Sequence, residues 1–199
     1  METETLFTLL SEESIRIGYV RGSRQILFVK TGQGGSIYGY ENRYLQLALD
    51  VNRSFGCSVF VAETLGDGKA LYDSEMELVK KTVGDGDFEV YYLGVSKGGL
   101  LGIWHGAEHP AIKRIAAINA PLMINFHNRT LPALRKRKKE RVAMVYGSLD
   151  PSYRYIPFVR EYASVTVLEG ADHCLRNSPV SLFELTKELL LFDVKSVKN

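Results

Sequence analysis

Apolar and polar positions along the chain fall into two alternating rhythms. Short runs rich in β-branched and aromatic residues occupy 15–20, 25–30, 58–62, 89–95, 115–119, 142–146 and 164–168, and they read as strands. Several are apolar throughout, among them Ile26-Leu27-Phe28-Val29 and Val142-Ala143-Met144-Val145, the pattern of strands covered on both faces of a parallel sheet. Between these runs, apolar residues recur at helical spacing. Leu45, Leu47, Leu49 and Val51 do so within 40–54, and Leu71, Met76, Leu78 and Val79 within 71–83. A last helix carries Leu182, Leu185, Leu189 and Leu190 and starts near Pro179 or Ser181. This alternation predicts an α/β fold: a mostly parallel, doubly wound sheet of about seven strands with helices on both faces. Only Arg21-Gly22-Ser23-Arg24 separates the first two runs, which predicts a hairpin and so an antiparallel N-terminal edge. No internal repeat or linker-like stretch interrupts the pattern, so residues 1–199 are read as one domain.

Composition narrows this picture. A chain of 199 residues is long enough to bury a core without staples. Its 25 basic and 23 acidic residues leave a net charge of +2, which gives no global reason to expect nucleic acid or an anionic membrane as partner. The two cysteines, Cys57 and Cys174, are too few for a disulfide framework. The start of the chain, METETLFTLLSEES, is acidic where a secretory leader is basic, and its apolar stretch is short. No apolar run approaches the roughly 18 residues of a membrane span. The expectation is a cytoplasmic protein without membrane insertion, monomeric or homodimeric. The run Arg135-Lys136-Arg137-Lys138-Lys139-Glu140-Arg141 has no interleaved aromatics and reads as a solvated helix end leading into the next strand, not as a nucleic-acid patch.

The sharpest local feature is Gly94-Val95-Ser96-Lys97-Gly98-Gly99, between a strand and an apolar helix containing Leu100, Leu101, Ile103 and Trp104. Strand, G-x-S-x-G, helix is the order of a nucleophile elbow. The glycines two residues to either side of Ser96 leave space for a strained turn, and the helix start behind it aims the Lys97 N–H at a developing oxyanion. A serine hydroxyl needs a base, and the base needs an orienting carboxylate. Of the four histidines, His105, His109 and His127 read as packing or surface residues. His173 follows the strand at 164–168, which places it in a loop at the carboxyl edge of the sheet. Asp150, after the strand at 142–146, is the carboxylate candidate, with turn-capping before Pro151 as its alternative duty; Asp172 is a rival, adjacent to the base in sequence. The order Ser96, Asp150, His173 is that of Ser…Asp…His enzymes with this elbow. The glycine-rich stretch Thr31-Gly32-Gln33-Gly34-Gly35-Ser36 follows the strand at 25–30, and by spacing Gln33 supplies a second backbone N–H to the oxyanion.

Taken together, these blocks resemble the α/β-hydrolase superfamily over nearly the whole chain. Phe28 to Ser36 looks like its oxyanion block, Glu63-Thr64-Leu65-Gly66-Asp67-Gly68 like its D-x-x-G-x-G block, and Gly94 to Gly98 like its elbow. Gly147-Ser148-Leu149-Asp150 and Gly170-Ala171-Asp172-His173 look like the acid and base blocks. Thr31 stands where the family usually has histidine, Glu63 where it has aspartate, and Lys97 where an apolar residue or Gln is usual. The resemblance implies an α/β-hydrolase fold whose Ser96, Asp150 and His173 form a triad, with no metal or cofactor. It implies hydrolysis of a carboxylic ester or thioester of a small molecule, with a peptidase or amidase, or a silent binding module, as alternatives. A cap usually enters between Ala120 and Arg141, where there is no room for one. Specificity then falls to residues at the sheet's edge, expected to be Ile37, Tyr38, Leu122, Met123, Phe126 and Tyr153.

Overall fold

The all-apolar runs become the middle of an eight-stranded sheet. The computed structural model describes residues 7–12, 15–66, 68–106 and 109–196. Its strands are β1 (Phe7–Glu12), β2 (Ile15–Val20), β3 (Ser23–Gln33), β4 (Cys57–Thr64), β5 (Glu89–Val95), β6 (Ile112–Ile118), β7 (Val142–Gly147) and β8 (Ser164–Leu168). They lie in the order β1-β2-β4-β3-β5-β6-β7-β8. From β4 to β8 every neighbour pairs in parallel, and β2 pairs antiparallel with both β1 and β4. The helices are α1 (Arg43–Phe55), α2 (Lys69–Val83), α3 (Lys97–Gly106), α4 (Leu131–Arg135), α5 (Ile156–Val159) and α6 (Leu182–Leu189). Ser181 caps α6, its hydroxyl accepting the Glu184 N–H at 3.1 Å.

One expectation is sharpened and one is corrected. The sheet has eight strands, because the short stretch at the start of the chain forms β1. The N-terminal hairpin is also a different one: β2 folds back on β1, from Phe7 opposite Val20 to Glu12 opposite Ile15, and does not touch β3 in the sheet. The Gly22 N–H donates to Ser58 Oγ at 3.0 Å and the Ser23 N–H to Gly56 O at 2.7 Å. These bonds carry the chain past the start of β4, so β4 comes to lie between β2 and β3.

Side-chain alternation sorts β3 between two layers. Leu27 and Val29 pack in the layer of Leu47 and Val51 of α1 and Leu185 of α6. Ile26 and Phe28 pack with Tyr72, Met76 and Val79 of α2 on the opposite face. A third cluster gathers Leu100 and Ile103 of α3 with Met144, Tyr146 and Leu134. The stretch from Ala120 to Arg141 feeds this cluster: Phe126, Thr130 and Leu134 are buried, and the Trp104 indole N–H donates to Thr130 Oγ1 at 2.9 Å. Among the described residues no cap domain is inserted there. The basic run begins at the end of α4 and leads into β7 as expected, except that Arg137 turns inward and donates to Gly106 O at 2.6 Å and Ile112 O at 3.2 Å. No helix among the described residues is long and apolar enough to cross a membrane.

The strand order sets where a ligand can enter. The chain runs from β3 through α1 to β4 on one side, then back through α2 to β5 on the other side of β3. The carboxyl ends of β3 and β5, with Lys30 opposite Gly94, therefore flank a topological switch point, where open α/β sheets have their crevice.

Beneath that point Lys30 and Glu75 are buried as a pair, and the Lys30 ammonium also donates to Glu63 O at 2.7 Å. Burial draws the Lys30 pKa down and pushes the Glu75 pKa up, each opposed by the partner's charge. Glu75→Leu, which strands the ammonium in the core, is expected to destabilise the fold by about 3–5 kcal/mol. Lys30→Met together with Glu75→Leu is expected to restore most of that loss. Urea unfolding of the single and double variants measures both.

Candidate active site

The elbow begins as a packing problem. A Cβ on Gly94 would lie 2.4 Å from Gly98 O, and one on Gly98 would lie 2.3 Å from Lys30 O. Only glycine at both positions lets the start of α3 close onto the ends of β3 and β5. The Tyr92 hydroxyl fixes that approach by donating to Gly98 O at 2.9 Å. Ser96 sits between them at φ 52°, left-handed and strained for a residue with a Cβ. Its N–H donates to Ile118 O at 2.7 Å, and its own carbonyl accepts the Gly99 N–H at 2.9 Å as α3 begins. The side chain is thereby held above the carboxyl edge of the sheet, and Lys97 is the first residue of the helix.

The three residues singled out by order converge there. His173 Nε2 is 3.0 Å from Ser96 Oγ, and His173 Nδ1 is 2.5 Å from Asp150 Oδ2. With Nδ1–H donated to the carboxylate, Nε2 is left as the acceptor for the Ser96 hydroxyl. The hydrogen bond to Asp150 is the main reason the His173 pKa lies above its ordinary 6.5, followed by a burial effect that opposes it and the charges of Asp150 and Asp172. The Asp150 side chain is 1% exposed and that of His173 45%. Asp150 also performs the capping duty open to it, its Oδ1 accepting the Ser152 N–H at 2.7 Å ahead of Pro151. Asp172 is engaged elsewhere: its carboxylate takes the N–H groups of Cys174 and Arg176 and the Arg176 guanidinium at 2.6 Å, which hold its pKa below the usual range.

The glycine-rich segment closes the other side. The pairing of β3 extends to Gln33, three residues beyond the predicted strand end, because Thr31 and Thr64 bridge the two strands. The Thr64 N–H donates to Thr31 Oγ1 at 3.2 Å and the Thr64 hydroxyl to Thr31 O at 2.5 Å. Glu63 holds the following loop, its carboxylate accepting the Ile37 N–H at 3.3 Å. Asp67, from the same sequence block, lies outside the described residues. Gln33, Gly34 and Gly35 then face Ser96 and His173 across a cavity of about 490 Å³ whose far wall is Tyr40, Arg43 and Tyr44. A second cavity of about 210 Å³ adjoins it, sharing Arg43, Val95, His173 and Cys174.

None of the six expected specificity residues lines either cavity. Ile37, Leu122 and Phe126 are 1%, 0% and 6% exposed and belong to the core, where apolar side chains in these loops are drawn down. Tyr38, Met123 and Tyr153 are exposed on the surface. The other histidines sit in packing contacts or partial burial: His105 against Tyr72, His127 against Phe126, and His109 with its pKa lowered mainly by burial. Among the described residues no group of three or more His, Cys, Asp or Glu side chains is placed to hold a metal ion.

Sequence reasoning passed over Asn119. It is fully buried at φ 46°, and its Nδ2 donates to Asp172 O at 3.0 Å and His173 O at 2.9 Å. Its Oδ1 accepts the Gly147 N–H at 2.9 Å. One amide thus ties the end of β7, which leads to Asp150, to the loop that carries His173. The available signal was a lone polar residue ending the apolar run Ile115-Ala116-Ala117-Ile118. Asn119→Ala leaves the buried Gly147 N–H unpaired and is expected to lose at least about 1–3 kcal/mol in urea unfolding.

No family model matches the chain, and no curated protein matches it. Solved structures do match. Est1E from Butyrivibrio proteoclasticus is 16% identical with a TM-score of 0.69, covering 94% of this chain and 97% of its own. Dienelactone hydrolase from Anabaena variabilis is 17% identical at 0.69, covering 96% and 99%. XC6422 from Xanthomonas campestris, described as an α/β serine hydrolase without lid, is 12% identical at 0.67, covering 100% and 99%. The chain has the α/β-hydrolase fold, in its form without a cap.

Proposed function

We propose that this chain is a serine hydrolase acting on a carboxylic ester or thioester of a small molecule. The observation that carries the reading is the unbroken relay from Ser96 Oγ to His173 Nε2 and from His173 Nδ1 to Asp150, beside an open cavity. The dienelactone hydrolase and the lidless serine hydrolase among the structural neighbours agree with it.

In this reading His173 takes the Ser96 proton as Oγ attacks the acyl carbonyl, and Asp150 stabilises the imidazolium that forms. The backbone N–H groups of Lys97 and Gln33 hold the tetrahedral oxyanion, each such donor being worth about 3–4 kcal/mol in the barrier. His173 returns the proton to the departing alcohol or thiol, leaving Ser96 acylated. Water, activated by the same imidazole, then releases the acid and restores the serine. The Asp150 carboxylate is well suited to the orienting role: one oxygen is fixed by the Ser152 N–H, which leaves the other directed at the imidazole. A solved structure of Est1E has ferulic acid, an aryl acid, bound to it. The cavity here has room for an acyl group of comparable size.

A fluorophosphonate probe is expected to label the wild-type protein and not Ser96→Ala; equal labelling of both would overturn the assignment. Matched 4-nitrophenyl esters and anilides separate an esterase from an amidase. The raised His173 pKa fixes the pH profile. A general base must be neutral, so kcat/KM is expected to fall with acid through a single inflection above 6.5, the ordinary value for histidine. Asp150→Asn removes the largest of the influences that raise that pKa and frees the wrong tautomer. The inflection should move down and kcat should drop by about 10³–10⁴-fold, as read from pH–rate profiles of both proteins.

A further inference from the structure

Arg43, the first residue of α1, stands where the two cavities meet, with His173 and Cys174 opposite. A guanidinium has five N–H donors. Two are used here: Nη1 donates to Cys174 O at 3.1 Å and Nη2 to Tyr44 Oη at 3.2 Å. Among the described residues the other three have no hydrogen-bond partner, Nε is fully buried, and the guanidinium carbon lies 5.0 Å from the centre of the Tyr44 ring. Among the described residues Arg43 has no carboxylate within ion-pair distance. Arg16, Arg114 and Arg176, by contrast, face Glu63, Asp193 and Asp172. A partly buried cation without a counterion is unfavourable unless something supplies the missing charge.

The backbone holds the cation in this position at a cost. Glu41 and Asn42, immediately before it, lie at φ 50° and 60°, and Gly39 lies at φ 72°. Two successive left-handed residues with side chains are strained by about 1–2 kcal/mol each, and such strain persists where the surroundings fix it. The Tyr38 carbonyl anchors the turn by accepting the Tyr44 N–H at 2.9 Å.

We propose that Arg43 reads a carboxylate on the substrate, so that the ester cleaved at Ser96 carries a second, ionised acid group. One guanidinium among the neutral side chains of Gln33, Ser36, Tyr40 and Tyr44 matches a single negative charge, and its planar fork matches a carboxylate. The inference rests on the hydrolase reading and adds the substrate class to it.

Two matched pairs of alkyl esters test it by pH-stat assay. Monoethyl glutarate against ethyl pentanoate places the carboxylate on the acyl side, and carboxymethyl butyrate against ethyl butyrate places it on the alcohol side. One anionic ester is expected to exceed its neutral match in kcat/KM by at least about tenfold, the scale of a charge-assisted hydrogen bond. Arg43→Met should lower that anionic-to-neutral ratio at least about tenfold, with Arg43→Lys restoring part of it. Preference for the neutral member of both pairs, or an unchanged ratio in Arg43→Met, overturns the proposal while leaving the hydrolase reading intact. Absence of all ester turnover together with an unlabelled Ser96 overturns the hydrolase reading itself. Calorimetric binding of monoethyl glutarate and carboxymethyl butyrate to Ser96→Ala, with and without Arg43→Met, tests recognition apart from turnover. Weakening of either by at least about tenfold supports the assignment, and equal affinities for both ligands refute it.

Discussion

The arrangement of this molecule depends on one close approach, that of the first turn of α3 to the ends of β3 and β5. Backbone meets backbone there, with space for no Cβ at Gly94 or Gly98. The contact forces the left-handed turn at Ser96, and the turn places its hydroxyl at the switch point of the sheet. Tyr92, pointing from β5 to Gly98 O, and the Ser96 N–H bond to β6 keep the turn from relaxing. Strain of this kind persists only when neighbouring structure over-determines it, and here three strands and a helix do so.

The same logic organises the loops around the serine, each of which is held by a buried polar residue bonded to backbone. Asn119 binds the acid-bearing and base-bearing segments to one another. Thr64 and Glu63 do the same for the glycine-rich segment. The buried Lys30–Glu75 pair is tied to the same segment, its ammonium donating to Glu63 O. In a low-dielectric setting such hydrogen bonds are strengthened and hold the segments in one arrangement.

How far the sequence reaches follows from the range of the forces involved. The elbow was legible because one of its close approaches, that of Gly94 to Gly98 O, spans only four residues. Ser96, Asp150 and His173 were legible as strand-end residues in a familiar order, and the structure brings them within hydrogen-bond reach. The pairing of β2 was not, because the choice between β1, β3 and β4 is decided by bonds such as Gly22 to Ser58, across 36 residues. The cavity lining was misread for a related reason. Apolar side chains in the edge loops, Ile37, Leu122 and Phe126, serve the core, whereas Arg43 of α1 lines the crevice. Hydrophobicity alone identifies what is buried, and not which concave surface is left empty.

The absence of a cap leaves an asymmetry that bears on how such a site works. Water reaches the imidazole, with its side chain 45% exposed, but not the Asp150 carboxylate, at 1%. In the proposed mechanism the charge that orients the base is therefore preorganised in a dry environment, while the reacting face of the base is wet until substrate arrives. Electrostatic stabilisation is strongest where water is excluded, so in the proposed mechanism the substrate completes the site by covering that face. Residues between Ala120 and Arg141, which would shield it in a capped relative, are instead spent on packing Phe126, Thr130 and Leu134 beneath α3. The shielding must then come from the fit between ligand and the wall formed by the glycine-rich segment and α1. In that mechanism the control of specificity falls to the wall opposite Ser96, and not to a lid.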